Sequence, residues 1–562
     1  MSKKRLYIFI AAIVLFAACL PLFTINCIGG HDINYHLLRI EALKEGILAG
    51  KPFLRINMLF FGGMGYASSL FYPDLLLYFP AILRALGVGI NQSYHLFIAL
   101  CIVLGFITSF YSARYISKSS YAGIITAVIF TLYQYHIDDI YTRSAVGEFT
   151  AVIFVPLVLA GLYDFIYEEF NKPWLLAVGM SGVLLCHTIT TIVCLGVCVF
   201  VSLIEIRQLL RMPVKLLRLL FTIIFVMGLT AFYWMPVFEM LLTGTVNNEF
   251  TYNTAYESPK LWEIFYNDYN RMGVVIFVLL LSGLIIKRRS RFADICAVTG
   301  LAVTLCSTTF FPWARLEGVL GFVQFPWRLF VMSGPLLAFA EGIYFSQLAS
   351  DIGTKDYDAK TKDAGVWDSC SARVILIIVT GIMLFSAIST LERNKEKYYS
   401  YSDDYFEYVP YTAEVIGGEW MPTTVENRGA LISQADSARL DDGSGIGVIR
   451  NKNELEISGI KKQVKYADVP FVYYKGYAAV NSDTNEFLKV SAEGENGCIR
   501  VYTEGAENIR VYYKGTAIQH MSDIISLISL IAGISYIAIN LRSYIREKKG
   551  KNEIGISSNI EG

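Results

Sequence analysis

The chain has 562 residues, of which 54% are hydrophobic and 17% charged. Soluble domains carry about 25% charged residues, so this composition excludes an ordinary soluble enzyme and points to a membrane protein. Lys plus Arg and Asp plus Glu balance at 48 each, so net charge singles out no partner, and no long basic face suggests nucleic acid. The ten cysteines include no CxxC pair and no Cys/His zinc spacing, and most lie in apolar runs, so they outline neither a disulfide framework nor a metal site.

A basic start, Lys3-Lys4-Arg5, precedes an apolar run at 6–25 without a small-residue cleavage site. This predicts an uncleaved first span of about 20 residues with the N-terminus inside. Residues 26–92 then form a long outer loop, which opens on Gly29-Gly30-His31-Asp32-Ile33-Asn34-Tyr35-His36. Two glycines allow a sharp turn. An apolar seam at Leu37, Ile40, Leu43 and Ile47 predicts a helix starting near Asp32. On that helix Asp32, His36 and Arg39 share a face at i, i+4 and i+7. The plainer alternative is that Asp32 is only an N-cap and the other two are solvated. Residues 70–86, broken by Pro73, Asp74, Pro80 and Arg84, read as interfacial or re-entrant. Counting them as a span would turn the basic cluster at 287–291 outward.

Spans follow at 93–116, 121–137 and 149–167, and the outer connection before the last of these holds Asp138, Asp139, Arg143 and Glu148. The apolar run at 174–204 is too long for one span and is interrupted at His187. With basic residues wanting the inside on both flanks, it predicts a hairpin of two short helices with His187 at its outward tip. Residues 216–241 cross to an outer loop at 242–271 that carries Arg271. Residues 272–286 return to the basic cluster, and 292–309 go out again. A short outer loop with Gln324-Phe325-Pro326-Trp327-Arg328 precedes a span ending near Ser350, a polar inner loop at 351–371 and a span at 372–390.

Residues 391–521 are polar. Short alternating stretches such as Glu454-Leu455-Glu456-Ile457 and Cys498-Ile499-Arg500-Val501-Tyr502, with turns at Lys475-Gly476 and Lys514-Gly515, predict a small β-sandwich. The expected architecture is an all-α polytopic membrane domain at 1–390 and an extracytoplasmic β domain at 391–521. A last transmembrane helix with a basic cytoplasmic tail follows at 522–562, giving about twelve spans and both termini cytoplasmic. This topology gathers Asp32, His31, His36, Arg143, Glu148, His187, Arg271 and Arg328 on the outer side, where charges near a membrane core point to function. A short helix pair with a polar tip makes sense if a water-filled cavity opens there.

The run Gly30-His31-Asp32, Tyr35-His36, Arg39-Ile40-Glu41 on the first outer loop resembles the GT-C superfamily of membrane glycosyltransferases, which carry an acidic residue at that place. Further stretches are most similar to the bacterial YfhO-like, pyruvoyl-tetrahydropterin-synthase-related membrane proteins. They are Gly65-Tyr66 with Leu70-Phe71-Tyr72-Pro73, Arg143 with Gly147-Glu148, Cys186-His187-Thr188, Gln324 to Arg328, and Tyr473-Tyr474-Lys475-Gly476-Tyr477. The resemblance implies a multi-pass GT-C-like glycosyltransferase of the cell membrane, surrounded by membrane lipids. It would move a sugar from a polyprenyl-phosphate-linked donor to a cell-envelope acceptor on the outer face. On this reading Asp32 is the base or orients the acceptor hydroxyl. Arg143, Arg271 and Arg328 hold the donor phosphate by paired donors. Glu148 and His187 shape the cavity, and His31, His36 and Arg39 complete the substrate-binding set. Whether a divalent cation takes part stays open, because His31 precedes Asp32 and Asn34 follows it where some GT-C enzymes carry two acids. Two alternatives differ in class. A lipid or polysaccharide flippase should show internal repeats and mid-membrane charges. A non-catalytic envelope assembly protein would use its β domain to bind a partner.

Overall fold

The computed structural model describes residues 2–24, 26–244, 246–247, 252–266, 270–287, 289–353, 370–393, 398–399, 401–402, 418–451 and 453–557. Most of the polar loop predicted at 351–371 and the first part of the predicted β domain fall outside these residues.

The main helices are α1 (Lys3–Ala18), α2 (Ile33–Leu48), α3 (Tyr78–Ala85), α4 (Ile90–Ser117), α5 (Ser120–Leu132) and α6 (Val146–Tyr167). They continue with α7 (Pro173–Leu184), α8 (Thr188–Ile204), α9 (Pro213–Leu229), α10 (Ala231–Leu242) and α11 (Val274–Leu280). Last come α12 (Arg291–Cys306), α13 (Pro326–Ile352), α14 (Cys370–Arg393) and α15 (Ala517–Ser557). Proline opens α7, α9 and α13, at the one helical position where its missing N–H costs nothing. Lys118 ends α4 in the left-handed conformation, and the Ser119 hydroxyl then caps α5 by accepting from the Ala122 N–H.

Among the described residues, five helices are long and apolar enough to cross a membrane: α4, α6, α13, α14 and the Ala517–Ile539 part of α15. The crossing predicted at 216–241 is broken, since α9 and α10 meet at an angle of 72°. Side chains from elsewhere satisfy the backbone at this break. The Phe232 N–H donates to Ser526 Oγ at 2.8 Å, and Arg55 Nη1 donates to the Phe232 carbonyl at 2.7 Å. Counted as one, this pair makes a sixth span. Other predicted spans form shorter helices, such as the 16-residue α1 and α12. A helix of that length rises about 24 Å, short of a hydrocarbon core of roughly 30 Å. Helix length therefore supports a multi-pass membrane protein but not a count of twelve. The run at 174–204 does form two helices, α7 and α8, with His187 between them, and 68–85 holds only short helices.

α13 is the central helix, 94% buried over its apolar window, whereas α15 is 11% buried and lies at the edge. The start of α13 carries Trp327 and Arg328, so a rigid, enclosed element positions them.

The C-terminal region forms two five-stranded sheets. Its strands are β3 (Ser437–Leu440), β4 (Gly445–Gly447), β5 (Ile449–Asn451), β6 (Glu454–Ser458) and β7 (Tyr466–Val472), then β8 (Tyr477–Asn481), β9 (Phe487–Leu488), β10 (Val490–Ser491), β11 (Cys498–Tyr502) and β12 (Asn508–Tyr513). The small ladder β1 (Cys27–Ile28) with β2 (Tyr398–Tyr399) stands apart. The sheet orders are β10-β11-β7-β3-β4 and β5-β6-β12-β8-β9. Strands β6 and β12 alternate buried and half-buried residues, as a sheet with one covered face requires. On β11 and β7, Arg500 and Asp468 face each other in register and pair bidentately at 2.7 and 2.9 Å.

The first loop reaches these sheets. Arg450 Nη1 donates to the Gly63 carbonyl at 2.7 Å, and the Val472 N–H to the Met64 carbonyl at 2.8 Å. Tyr66 Oη donates to the Glu419 carbonyl at 2.7 Å. The segment 61–66 thus brackets the β region onto the helices.

Candidate active site

The loop before α2 is fastened to the last two residues of a short π-helical run at Asp139–Arg143. The His31 N–H donates to the Thr142 carbonyl at 3.3 Å, and the Asp32 N–H to the Arg143 carbonyl at 3.0 Å. This approach requires glycine at position 30, since a Cβ there would overlap Ser144 Oγ and crowd the Ser144 backbone nitrogen. Asp32 occupies the N-cap position of α2, but its side chain caps nothing. Among the described residues its carboxylate has no hydrogen-bond partner. Protein encloses it on most sides, yet it is exposed to a cavity of about 750 Å³. Burial pushes the Asp32 carboxyl above its ordinary value; Arg143 and Arg328 pull it down and Glu148 adds to the rise.

His36 lies one turn further and lines the same cavity. Burial, then Arg39 and His187, hold its imidazole well below the ordinary value. The ring is therefore neutral, and Nδ1 accepts from Arg39 Nη1 at 3.2 Å. Arg39 does not share this face in the expected way. Its side chain is 0% exposed and does not line the cavity. Its Nη2 donates to the carbonyls of Tyr72 and Pro73 at 3.2 and 2.8 Å and to Asp74 Oδ1 at 2.5 Å. Arg39 thus fixes the 72–74 turn beneath the cavity and is unavailable to substrate.

Arg143 and Glu148 form the densest part of the wall. Arg143 Nη1 and Nη2 donate to the two Glu148 oxygens at 2.9 and 2.8 Å, and Nη1 also reaches Asp139 Oδ1 at 2.6 Å. Tyr135 Oη donates to Glu148 Oε2 at 2.8 Å, and the Arg143 guanidinium lies 4.3 Å from the centre of the Trp327 ring. Arg328 Nε stands 2.9 Å from Glu148 Oε1, and Arg328 Nη1 is held by Gln324 Oε1 and the Val323 carbonyl. Among the described residues Nη2 of Arg328 has no partner, and the side chain is 15% exposed. Of the three arginines expected at a phosphate, Arg328 has the most open guanidinium and Arg143 is already committed to two acids. Arg271 is 2% exposed, ion-paired with Asp138 at 3.4 Å, and does not line the cavity.

His187 lines the next part of the wall. Its Nδ1 caps α8, accepting from the Thr190 N–H at 3.3 Å with Thr190 Oγ1 at 2.8 Å. These bonds assign the ring proton to Nε2. Glycine at 147 lets Tyr72 and His187 close on α6, because a Cβ there would overlap Tyr72 Oη. Tyr233 Oη donates to the Phe71 carbonyl at 2.8 Å and accepts from Thr188 Oγ1 at 2.7 Å.

The structure therefore brings Asp32, His31, His36, Arg143, Glu148, His187 and Arg328 to one cavity, and leaves Arg39 and Arg271 off it. Glu257, Tyr252, Glu419 and Trp420 also line it, and sequence reasoning missed them. The available signal was Gly417-Gly418-Glu419-Trp420, an acid and a tryptophan directly after two glycines. Four carboxylates (Asp32, Glu148, Glu257 and Glu419) face two guanidiniums. Ile189, Ile192, Val237, Leu241 and Phe322 give the cavity an apolar side. Among the described residues no three His, Cys, Asp or Glu side chains gather closely enough to hold a metal ion.

No family model matches the chain. An uncharacterized protein of Lactococcus lactis subsp. cremoris (strain MG1363) is 25% identical over 333 residues, covering 55% of this chain and 54% of the relative. The chain thus spans about half the length of that relative. Among solved structures, the arabinofuranosyltransferase AftD from Mycobacteria is 18% identical, covering 71% of this chain and 27% of its own, with a TM-score of 0.42. ArnT from Cupriavidus metallidurans bound to undecaprenyl phosphate is 14% identical, covering 70% and 76%, with a TM-score of 0.39. The Archaeoglobus fulgidus oligosaccharyltransferase in the apo form is 12% identical, covering 69% and 56%, with a TM-score of 0.37. At these scores the superpositions carry no weight for substrate or chemistry. The YfhO-like and pyruvoyl-tetrahydropterin-synthase-related resemblance finds no support among these proteins.

Proposed function

We propose that this chain is a membrane glycosyltransferase that moves a sugar from a polyprenyl-phosphate-linked donor to a cell-envelope acceptor on the outer face. The observation that carries this reading is the Asp32 carboxylate. Among the described residues it has no hydrogen-bond partner, it opens onto the cavity, and backbone bonds hold it next to the Arg143–Glu148 pair. A carboxylate raised by burial is a stronger base than one in water, and nearby guanidiniums favour its ionised form. In the transfer, the acceptor hydroxyl gives its proton to Asp32 while its oxygen bonds to the sugar's anomeric carbon. The bond from that carbon to the donor phosphate oxygen breaks, and its electron pair leaves with the polyprenyl phosphate. Arg328 Nη2 takes the phosphate, and Glu148 holds Arg143 and Arg328 in place. The apolar side at Ile189, Ile192, Val237 and Leu241 suits the first isoprene units. Short apolar helices such as α1, α5, α7 and α8 complete the proposed bundle of about twelve membrane segments, with both termini cytoplasmic.

The test compares lipid extracts, by mass spectrometry, from cells lacking the protein and from cells complemented with wild type or Asp32→Asn. A polyprenyl-phosphate sugar should accumulate without the protein, clear with wild type and persist with Asp32→Asn at equal protein level. No accumulating lipid-linked sugar, or full clearance by Asp32→Asn, would reject the reading.

A further inference from the structure

The segment at 418–421 comes from the C-terminal region, yet it supplies part of the cavity wall. Trp420 sits in left-handed backbone at φ +62°. Its N–H donates to the Asn247 carbonyl at 2.9 Å, and its carbonyl accepts from Tyr474 Oη at 3.1 Å. The indole lies nearly parallel to Phe71, with centroids 5.7 Å apart and planes 9° apart, and meets Tyr72 edge-on at 6.1 Å. Tyr66 is a third ring neighbour, 6.4 Å away and 29° from parallel, and the strained backbone and these three rings fix a large side chain in one orientation. The ring is only half-buried and lines the cavity. Among the described residues its indole N–H has no acceptor.

Beside it, one Glu419 oxygen accepts from Gln324 Nε2 at 2.8 Å. Among the described residues the other oxygen has no partner, and neither do the carboxylate oxygens of Glu257. Gln324 also holds Arg328 Nη1, so one amide ties this wall to the guanidinium assigned to the donor phosphate. Tyr252 adds a second aromatic ring, 4.5 Å from Phe325.

This wall has a defined chemistry. A flat indole covers the C–H face of a sugar ring, while free carboxylate oxygens accept its hydroxyl protons and the indole N–H donates to its oxygens. The charge is one-sided. Glu148 and Asp139 together balance the two guanidiniums, which leaves Asp32, Glu257 and Glu419 as a negative field. A second anionic group beside a donor phosphate would meet that field without a cation of its own. Resting on the transferase reading, we propose that Glu419 and Trp420 form the acceptor subsite, and that the acceptor is a carbohydrate bearing no acidic group. Uronates, phosphorylated glycans and acidic peptides are then excluded by charge.

The full chain in lipid nanodiscs is tested on a glycan array that carries neutral, amino and acidic forms of matched backbones. Undecaprenyl phosphate binding is measured in parallel by native mass spectrometry. Neutral or amino glycans should bind, and their uronate or phosphate counterparts should be weaker by about tenfold or more. Trp420→Ala and Glu419→Gln should each lose about tenfold or more on the array. Trp420→Phe should keep most of the binding, and all three variants should bind undecaprenyl phosphate as wild type does. Equal binding of acidic glycans, or wild-type array binding by Trp420→Ala and Glu419→Gln, overturns the proposal. So does a wild-type chain that binds undecaprenyl phosphate but no glycan. Glycan binding without undecaprenyl phosphate binding would leave the subsite standing and strike the transferase reading instead.

Discussion

Replacing Glu148 with glutamine tests whether the Arg143–Glu148 pair holds the site together. Glutamine keeps the size of the side chain, and its carbonyl can still accept from Tyr135 Oη. It removes the charge opposite two guanidiniums: the fork to Arg143 at 2.8 and 2.9 Å and the ion pair to Arg328 at 2.9 Å. The pair is enclosed, with side chains 4% and 2% exposed. Asp139 alone would then neutralise Arg143. Breaking a buried pair by removing one partner costs about 3–5 kcal/mol, whereas an exposed pair contributes about 0–1 kcal/mol. Equilibrium unfolding in mixed SDS micelles, read by intrinsic fluorescence, should show a loss in the first range for Glu148→Gln. The double variant Glu148→Gln/Asp139→Asn removes both acids from Arg143 and should be more destabilised than Glu148→Gln, because the buried guanidinium is then left alone. A loss below about 1 kcal/mol for Glu148→Gln would mean that water screens this cluster, and the account of Glu148 as an organiser would fail.

Asp32→Ala should change stability by less than a lost cap, which costs about 1 kcal/mol, since Asp32 caps nothing; it should still lower transfer by roughly 10²-fold or more. A cap-sized loss with activity intact would reverse that assignment. Transfer should fall as pH drops through the Asp32 value, because the ionised form is the base, so the acid limb lies above the ordinary carboxylate range. Arg328→Gln removes a charge that lowers the Asp32 value, so in pH–rate profiles the limb should move to higher pH; a shift to lower pH would contradict the geometry. Gly30→Ala should abolish transfer by driving the Asp32 loop off Ser144, and Ser144→Gly should restore part of it, since residue 144 already sits at φ +52°. Arg328→Lys keeps the charge but loses the fork, so it should weaken undecaprenyl phosphate binding while the elution profile in detergent stays that of wild type; unchanged binding would make Arg328 an interfacial anchor.

The placement of Asp32, His36, Arg143, Glu148 and His187 around one cavity was legible because each is marked locally. Glycines or apolar breaks flank them, and the positions of basic clusters order the segments between them. Arg39 and Arg271 were not separable from them on the same grounds. What distinguishes Arg39 is Asp74, 35 residues away, and the carbonyls of Tyr72 and Pro73; a helical face cannot show whether a guanidinium on it is already enclosed. The break between α9 and α10 was hidden for a similar reason, since the apolar run continues through it and Ser526 and Arg55 satisfy the interrupted backbone. Glu419 and Trp420 were hidden by distance along the chain. The β strands were easier to read, because alternation and Gly476 at φ +121° are written within a few residues.

The bracket at 61–66 also sets a timetable for biosynthesis. Tyr66 and its partner Glu419 are 353 residues apart. At translation rates of about 5–20 residues per second, the first loop exists for roughly 20–70 s before that partner is made. During that interval Asp32, Arg143 and Glu148 can already be in place, but the wall bearing Trp420 is missing. The Met64 and Gly63 carbonyls also wait for Val472 and Arg450. A ribosome stalled before residue 418 would therefore hold a chain whose basic residues and acids are assembled around a gap, with the aromatic surface of Tyr66 and Phe71 uncovered for chaperones or proteases to find.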